Sequence, residues 1–234
     1  MRRALAFLTP IGGARPPDAR TLSWFPVVGA LLGAVVGAAW WGAQELWTPL
    51  VAAVLVVAVD LALTGMLHLD GLVDAADGLL PHADRERRLA IMGEPSVGAF
   101  GLGVAAVVLL LRVACFASLD ADLLLVAGIW SGSRTVMAVA ARAVPYARGE
   151  GGLASAFLGG DWRSVGLGGL ILAVSLGAFA GGRQPELAVA VGMAAGAGVV
   201  ALARRRLGGF TGDVLGAAGL VAETVALLIA AARW

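Results

Sequence analysis

The chain has no lysine and, among its 234 residues, one cysteine. Cys115 sits inside an apolar run, which excludes a disulfide framework and a cysteine metal site. Charge of either sign is scarce: charged residues make up 14% and the formal net charge is +1. That balance gives no ground for a nucleic-acid partner, and none is expected. There is no Walker A motif, no Ser-His-Asp arrangement in the sequence pattern and no zinc-ligand spacing. The apolar run in Met1–Pro10 is too short for the core of a signal peptide. Residues 1–23 are therefore expected as a cytoplasmic or interfacial segment.

What is present is apolar surface. Hydrophobic residues make up 59% and the mean hydropathy is +0.88, values that few soluble domains reach. The sequence predicts an all-α polytopic membrane protein, residues 1–234 forming one integral membrane domain. Seven spans are expected near 24–43, 49–69, 97–117, 122–142, 165–182, 187–203 and 214–232. Gly29, Gly33 and Gly37 form a small-residue ladder in the first, and Ala188, Gly192 and Gly196 another in the sixth. Both read as close helix packing rather than as sites. The tryptophans lie mostly near span ends, as interfacial anchors do.

The arginines set the orientation. Arg2, Arg3, Arg15 and Arg20 precede the first span; Arg85, Arg87 and Arg88 follow the second. Arg142, Arg148 and Arg163 follow the fourth, and Arg204, Arg205 and Arg206 the sixth. With the N-terminus inside, 13 arginines are cytoplasmic and two (Arg183 and Arg233) lie outside. The positive-inside rule favours a cytoplasmic N-terminus and an outside C-terminus. The connections with unusual chemistry, 70–96, 143–164 and 204–213, then share the cytoplasmic face.

The first of these opens on His68-Leu-Asp-Gly-Leu-Val-Asp-Ala-Ala-Asp-Gly-Leu79. On a regular helix, Asp70, Asp74 and Asp77 fall within roughly a 60° arc. Such like charges repel, and directly after an apolar run they are less simply solvated than on a soluble helix. Hard cations such as Mg²⁺ are held by one or two carboxylates together with substrate phosphate oxygens. Asp70 and Asp77 are about 10 Å apart along a helix, too far for one ion, so Asp74 is the shared ligand. On the same helix His68 points roughly 160° from Asp70, away from the acids unless the helix breaks at Gly71.

Arg85 and Arg88 are positioned to neutralise these acids or to grip phosphate. Pro95-Ser-Val-Gly-Ala-Phe-Gly-Leu-Gly103, a Gly-rich entry into the third span, is a weak phosphate-loop signal. Gly208, Gly209 and Gly212 flank Thr211 ahead of Asp213, an adaptable turn at a helix start, where backbone N–H groups bind anions. Asp213 also suits a plain capping role. Asp60, Arg134 and Glu223 lie within spans, where ionisable groups pair. Arg134 is expected to pair with Glu223 or Asp60, as a polar floor under the site. Arg112, near the outer end of its span, reads as snorkelling, with no further role. Together these residues point to Mg²⁺-assisted phosphoryl transfer from a nucleotide-activated alcohol, with a carboxylate accepting a hydroxyl proton.

The segments Gly65–Leu79, Arg88-Leu-Ala-Ile-Met92, Gly98-Ala-Phe-Gly101, Pro145-Tyr-Ala-Arg148 and Gly208-Gly-Phe-Thr-Gly-Asp-Val-Leu-Gly-Ala217, with Glu223, resemble the cobalamin synthase family, the adenosylcobinamide-GDP ribazoletransferases. The resemblance runs in order from Phe7-Leu-Thr9 to Glu223. It implies an inner-membrane, Mg²⁺-dependent enzyme with corrinoid and nucleotide substrates. Such an enzyme joins adenosylcobinamide-GDP to α-ribazole, or its 5′-phosphate, and releases GMP. Carried over, Asp74 and Asp213 are catalytic, and Asp70, Asp74 and Asp77 bind the metal. Arg85, Arg88, Arg134, Arg148, Gly208, Gly209, Thr211, Gly212 and Glu223 bind substrate. The chain departs from the family at Glu94-Pro95-Ser96, where a basic residue is usual, and at Pro10-Ile-Gly-Gly13. A CDP-alcohol phosphotransferase is the nearest alternative, but its Asp-Gly-x2-Ala-Arg pattern fails at Asp74-Ala75 and no later Asp-x3-Asp follows. A cation transporter, the alternative from another class, predicts polar residues through both halves of the membrane. A non-catalytic scaffold gives no reason for the stacked aspartates.

Overall fold

The computed structural model describes residues 1–11, 13, 18, 20–148, 161–181 and 183–233. They form helices α1 (Arg2–Leu8), α2 (Phe25–Leu46), α3 (Pro49–Leu63), α4 (Leu67–Leu79), α5 (Arg85–Ile91), α6 (Ala99–Ser118), α7 (Leu123–Ala143), α8 (Trp162–Phe179), α9 (Arg183–Leu207) and α10 (Gly212–Ala230), with a 3₁₀ turn at Thr21–Trp24. Among the described residues, the Tyr146–Phe210 bridge is the isolated β-contact. Among the described residues, six helices are long and apolar enough to cross a membrane, and α3 with α4, bent by 88°, makes seven when the pair is taken as one span. The protein is thus an all-α, multi-pass membrane protein. Proline opens α2 and α3 in the first turn, where its missing N–H costs nothing.

The second span departs from the expectation of one regular helix over 49–69. The chain turns at Thr64-Gly65-Met66, and the acidic stretch belongs to a separate helix, α4. Gly65 and Met66 are both left-handed, at φ 57° and 59°. The Met66 N–H donates to the Leu61 carbonyl at 2.8 Å, a left-handed helix ending that glycine adopts at no cost and methionine does not.

α7 is the central post, buried along most of its length. The glycine ladder of α2 lies against it. A Cβ at Gly29 would come within 2.5 Å of the Trp130 carbonyl oxygen, and one at Gly33 within 2.6 Å of that of Val126. α9 meets α10 in the same way: a Cβ at Gly192 would lie 2.5 Å from the Ala222 carbonyl oxygen. No side chain fits between these backbones, so the ladders are packing devices, as their spacing suggests.

The bundle interior holds a closed set of charges. Arg112 donates to Asp60 at 2.6 Å and to Glu223 at 3.0 Å. Arg134 pairs with the other oxygen of Glu223, which also accepts from Ser133 at 3.0 Å. Trp130 Nε1 donates to Asp60 at 3.0 Å, and the Arg112 guanidinium lies 5.1 Å from the Trp130 ring centroid. Two acids face two guanidiniums, so the cluster is neutral. Each member is at most 3% exposed. Arg112 is therefore a central partner, not the snorkelling group expected from its position. Its helix runs beside α3 and α10, so its side chain meets Asp60 and Glu223 before it could reach an interface.

Arg112→Met would leave Asp60 buried with Trp130 as its remaining partner. The expected loss is about 3–5 kcal/mol, read as a lower thermal midpoint of the detergent-purified protein. Asp60→Asn added to Arg112→Met should recover part of it. An unchanged midpoint in the single variant would show that the cluster carries no structural load.

Candidate active site

α4 crosses the first turn of α10 backbone to backbone. A Cβ at Gly71 would lie 2.9 Å from the Asp213 carbonyl oxygen and 3.1 Å from its Cα. Across the crossing, a Cβ at Gly216 would lie 3.3 Å from the His68 Cα. The absent side chain at Gly71 is what brings the acids of α4 beside Asp213. Asp74, half-buried, lies within electrostatic reach of Asp213, Asp70 and Asp77, with Arg148 as the opposing positive charge. Neither Asp70 nor Asp74 accepts a hydrogen bond from another described residue's side chain or loop backbone. Asp213 accepts from Arg148 Nη2 at 3.0 Å and from Thr211 Oγ1 at 3.2 Å. Thr211 is the N-cap of α10, accepting from the Val214 N–H, so Asp213 stands in the first turn rather than as the cap.

Asp77, read from the sequence as a metal ligand, has another position. Its two oxygens accept from the backbone N–H groups of Gly98 at 2.7 Å and Gly101 at 2.8 Å. It caps α6 from a neighbouring helix, satisfying donors that the helix cannot satisfy itself. A Cβ at Gly98 would lie 2.4 Å from Asp77 Oδ1 and one at Gly101 2.5 Å from Oδ2. The glycines that read as a weak phosphate loop are thus the seat of Asp77. The acidic face left open consists of Asp70, Asp74 and Asp213. Among the described residues, no three Asp, Glu, His or Cys side chains enclose a metal position.

The arginines divide by partner. Arg85 donates to the carbonyls of Leu207 at 2.8 Å and Ala147 at 2.7 Å, tying α5 to the ends of α9 and the 144–148 stretch. Arg88, buried, donates to the carbonyls of Gly78 and Leu79 at the end of α4. These hydrogen bonds to helix-terminal carbonyls offset α4's unpaired acceptors and hold α5 in place. Among the described arginines, Arg148 touches a site carboxylate, that of Asp213, and it also donates to the Met92 carbonyl at 2.9 Å. Arg134 and Glu223, expected as substrate contacts, pair with one another inside the bundle.

The turn before Asp213 is pinned on both sides. Gly208 closes α9 in the left-handed region at φ 75°. A Cβ at Gly209 would lie 2.2 Å from the Pro145 carbonyl oxygen, so no other residue fits. Phe210 N–H donates to Pro145 and the Phe210 carbonyl accepts from Ala147, at 2.9 and 2.8 Å. Gly212 has open space around it. Tyr146 packs against Phe210 with the rings tilted by 59°, and was not singled out from the sequence, although it lies within Pro145-Tyr-Ala-Arg148. Burial pushes its phenol above the usual range; Arg148 pulls the other way and Asp213 adds to the rise. His68 is buried against Gly216 and Gly219, and no described residue bonds either ring nitrogen. The helix breaks before His68 and not at Gly71, so the imidazole faces the bundle, opposite the acids.

Residues 1–231 match the family described as cobalamin-5-phosphate synthase. The chain belongs to that family. It is accordingly an enzyme, a membrane transferase of cobalamin biosynthesis. It is 39% identical over 217 residues to the adenosylcobinamide-GDP ribazoletransferase of Chlorobium phaeovibrioides, covering 90% of this chain and 86% of the relative. The protein of the same name from Chlorobaculum tepidum is 36% identical, over 90% and 85% of the two chains. That of Desulforamulus reducens is 34% identical, over 96% and 92%. No solved structure matches. Within this family chain, the open acids, Arg148 and the pinned turn meet at one end of the bundle.

Asp77→Ala should lower stability by about 1–2 kcal/mol, the usual cost of a lost helix cap. Asp74→Asn should move the thermal midpoint little, since no hydrogen bond from the described residues is lost. Equal destabilisation by both would mean that Asp74, too, holds the fold together.

Proposed function

We propose that the protein joins adenosylcobinamide-GDP to α-ribazole or α-ribazole 5′-phosphate, giving adenosylcobalamin or its 5′-phosphate and GMP. The observation that carries this reading is the open carboxylate face formed by Asp70 and Asp74 beside Asp213, in a chain of this family. The ribose hydroxyl attacks the cobinamide-side phosphorus of the diphosphate. The phosphorus–oxygen bond to GMP breaks, and the hydroxyl proton passes to a carboxylate. Asp74 and Asp213 are the candidates for that acceptor, being adjacent and mutually repelling. Arg148, anchored on the Met92 carbonyl, steadies the phosphate oxygens while balancing Asp213.

The donor set suits Mg²⁺. Asp70 and Asp74 are hard oxygen donors that accept no side-chain or loop hydrogen bond from the described residues, and one or two carboxylates with phosphate oxygens suffice for this ion. Bound there, Mg²⁺ would neutralise the diphosphate and the charge developing on the leaving GMP. Asp77 supports the site from behind, and Gly208, Gly209, Thr211 and Gly212 shape the backbone around Asp213. Arg85, Arg88, Arg134 and Glu223 act by holding the surrounding helices. The transporter reading loses its support, because Asp60 and Glu223 are committed to Arg112 and Arg134.

The arginine distribution supports an inner-membrane enzyme with its N-terminus and acidic site in the cytoplasm and its C-terminus outside. Alkaline phosphatase fused after Trp234 should then be active, and fused after Arg206 inactive; the reverse pattern would invert the topology. In a membrane-fraction assay with adenosylcobinamide-GDP, α-ribazole and Mg²⁺, Asp74→Asn should cut GMP release by about a hundredfold or more. Chelation should stop release and added Mg²⁺ restore it. Release unaffected by Asp74→Asn would sink the assignment.

A further inference from the structure

α8 and α9 form a hairpin that is closed at one end and open at the other. Near their connection, a Cβ at Gly177 would lie 3.2 Å from the Pro185 carbonyl oxygen. Toward the end of the bundle that carries the acidic site the helices part. α7 forms the back wall, and a cavity of about 660 Å³ lies between the three. Val139 and Ala140 of α7, Leu167 and Leu170 of α8, and Met193 and Ala197 of α9 line it. Leu167 and Leu170 are 63% and 42% exposed, so the cavity opens sideways to the bilayer. Protein interiors are close-packed, and an apolar space offers water no hydrogen-bond partners.

The rim has a different character. Trp162 and Arg163 open α8 at the mouth, the guanidinium 5.6 Å from the indole centroid. Asp161 caps α8 through the N–H groups of Arg163 and Ser164, and Arg142 of α7 donates to the Asp161 carbonyl at 2.9 Å. A cationic, aromatic rim thus stands over an apolar shaft at the end of the spans. Within the shaft the polar side chain is Thr135, and its hydroxyl already donates to the Ser131 carbonyl at 2.8 Å. A nucleoside would find no free polar partner there. A hydrocarbon chain needs none.

We propose that this cavity is a site for one anionic phospholipid, with an acyl chain in the shaft and the headgroup phosphate against Arg163. Basic pockets between transmembrane helices take such headgroups. The lipid fills the space that α8 leaves open. α8 buries Val165, Gly169, Ala173 and Gly177 and little else, so the chain is its missing packing partner. The acidic site lies on α4 and α10, away from this wedge, and the inference does not depend on the proposed reaction.

The test uses the full chain in detergent, exchanged extensively and supplied with phosphatidylglycerol or phosphatidylcholine, and read by native mass spectrometry and thermal midpoint. The wild type should retain one phosphatidylglycerol and be stabilised by it more than by phosphatidylcholine. Ala197→Phe, which fills the shaft, should lose both effects. Arg163→Gln, on the exposed rim, should keep lipid binding but reduce the phosphatidylglycerol preference by about fivefold. Equal effects of the two lipids on the wild type would overturn the proposal. So would retention unchanged by Ala197→Phe or a preference unchanged by Arg163→Gln. A raised KM for α-ribazole in Ala197→Phe, with lipid retention intact, would overturn it in favour of a substrate subsite. Lipid retention is measured without turnover, so its failure is distinct from failure of the assigned reaction.

Discussion

The contact on which the site depends is the crossing of α4 over α10 at Gly71 and Gly216. It is a contact between main chains, and any side chain at Gly71 would push against the backbone of Asp213 itself. Close approach of this kind has a consequence beyond packing. It sets the carboxylates of two helices, far apart in sequence, in one electrostatic field. The repulsion among them is the cost of the arrangement, offset in the structure by Arg148. A cation on the open face would lower it further.

Around that crossing the arginines act mainly as ties. Arg85, Arg88 and Arg206 reach carbonyls at helix ends, closing the loops 80–84 and 208–211 over the bundle. Deeper, Arg112 and Arg134 are balanced by Asp60 and Glu223. The guanidinium is suited to this, since one group serves several acceptors at fixed angles. A site that gathers acids on one face therefore draws its rigidity from cations that mostly do not touch them.

The sequence carried the architecture because a bilayer demands long apolar helices, and the arginine pattern divides them consistently. It also drew attention to Asp70, Asp74 and Asp213, which the structure brings together, since acids beside apolar runs are rare and costly. It did not reveal the break at Thr64-Gly65-Met66. A chain with 34 glycines gives no reason to single out Gly65, and the flanking residues are as apolar as any span. Nor did it separate Asp77 from its neighbours. On a helical wheel all three aspartates share an arc; what distinguishes Asp77 is the start of α6, more than twenty residues on. Arg112 was misread for the same reason. Depth in a span is legible from sequence, whereas the partner is not, and its partners lie 52 and 111 residues away.

The buried charge cluster also bears on how the chain is made. Its members reach the membrane in the order Asp60, Arg112, Arg134 and Glu223, each on a different helix. After α3 the running charge within the bilayer is negative, after α6 it is zero, and after α7 it is positive. It returns to zero only when α10 arrives. A nascent chain halted before that point carries an unmatched guanidinium at bilayer depth, a costly state. Neutrality of the core is thus reached only through Glu223, which ties α10 to helices inserted well before it.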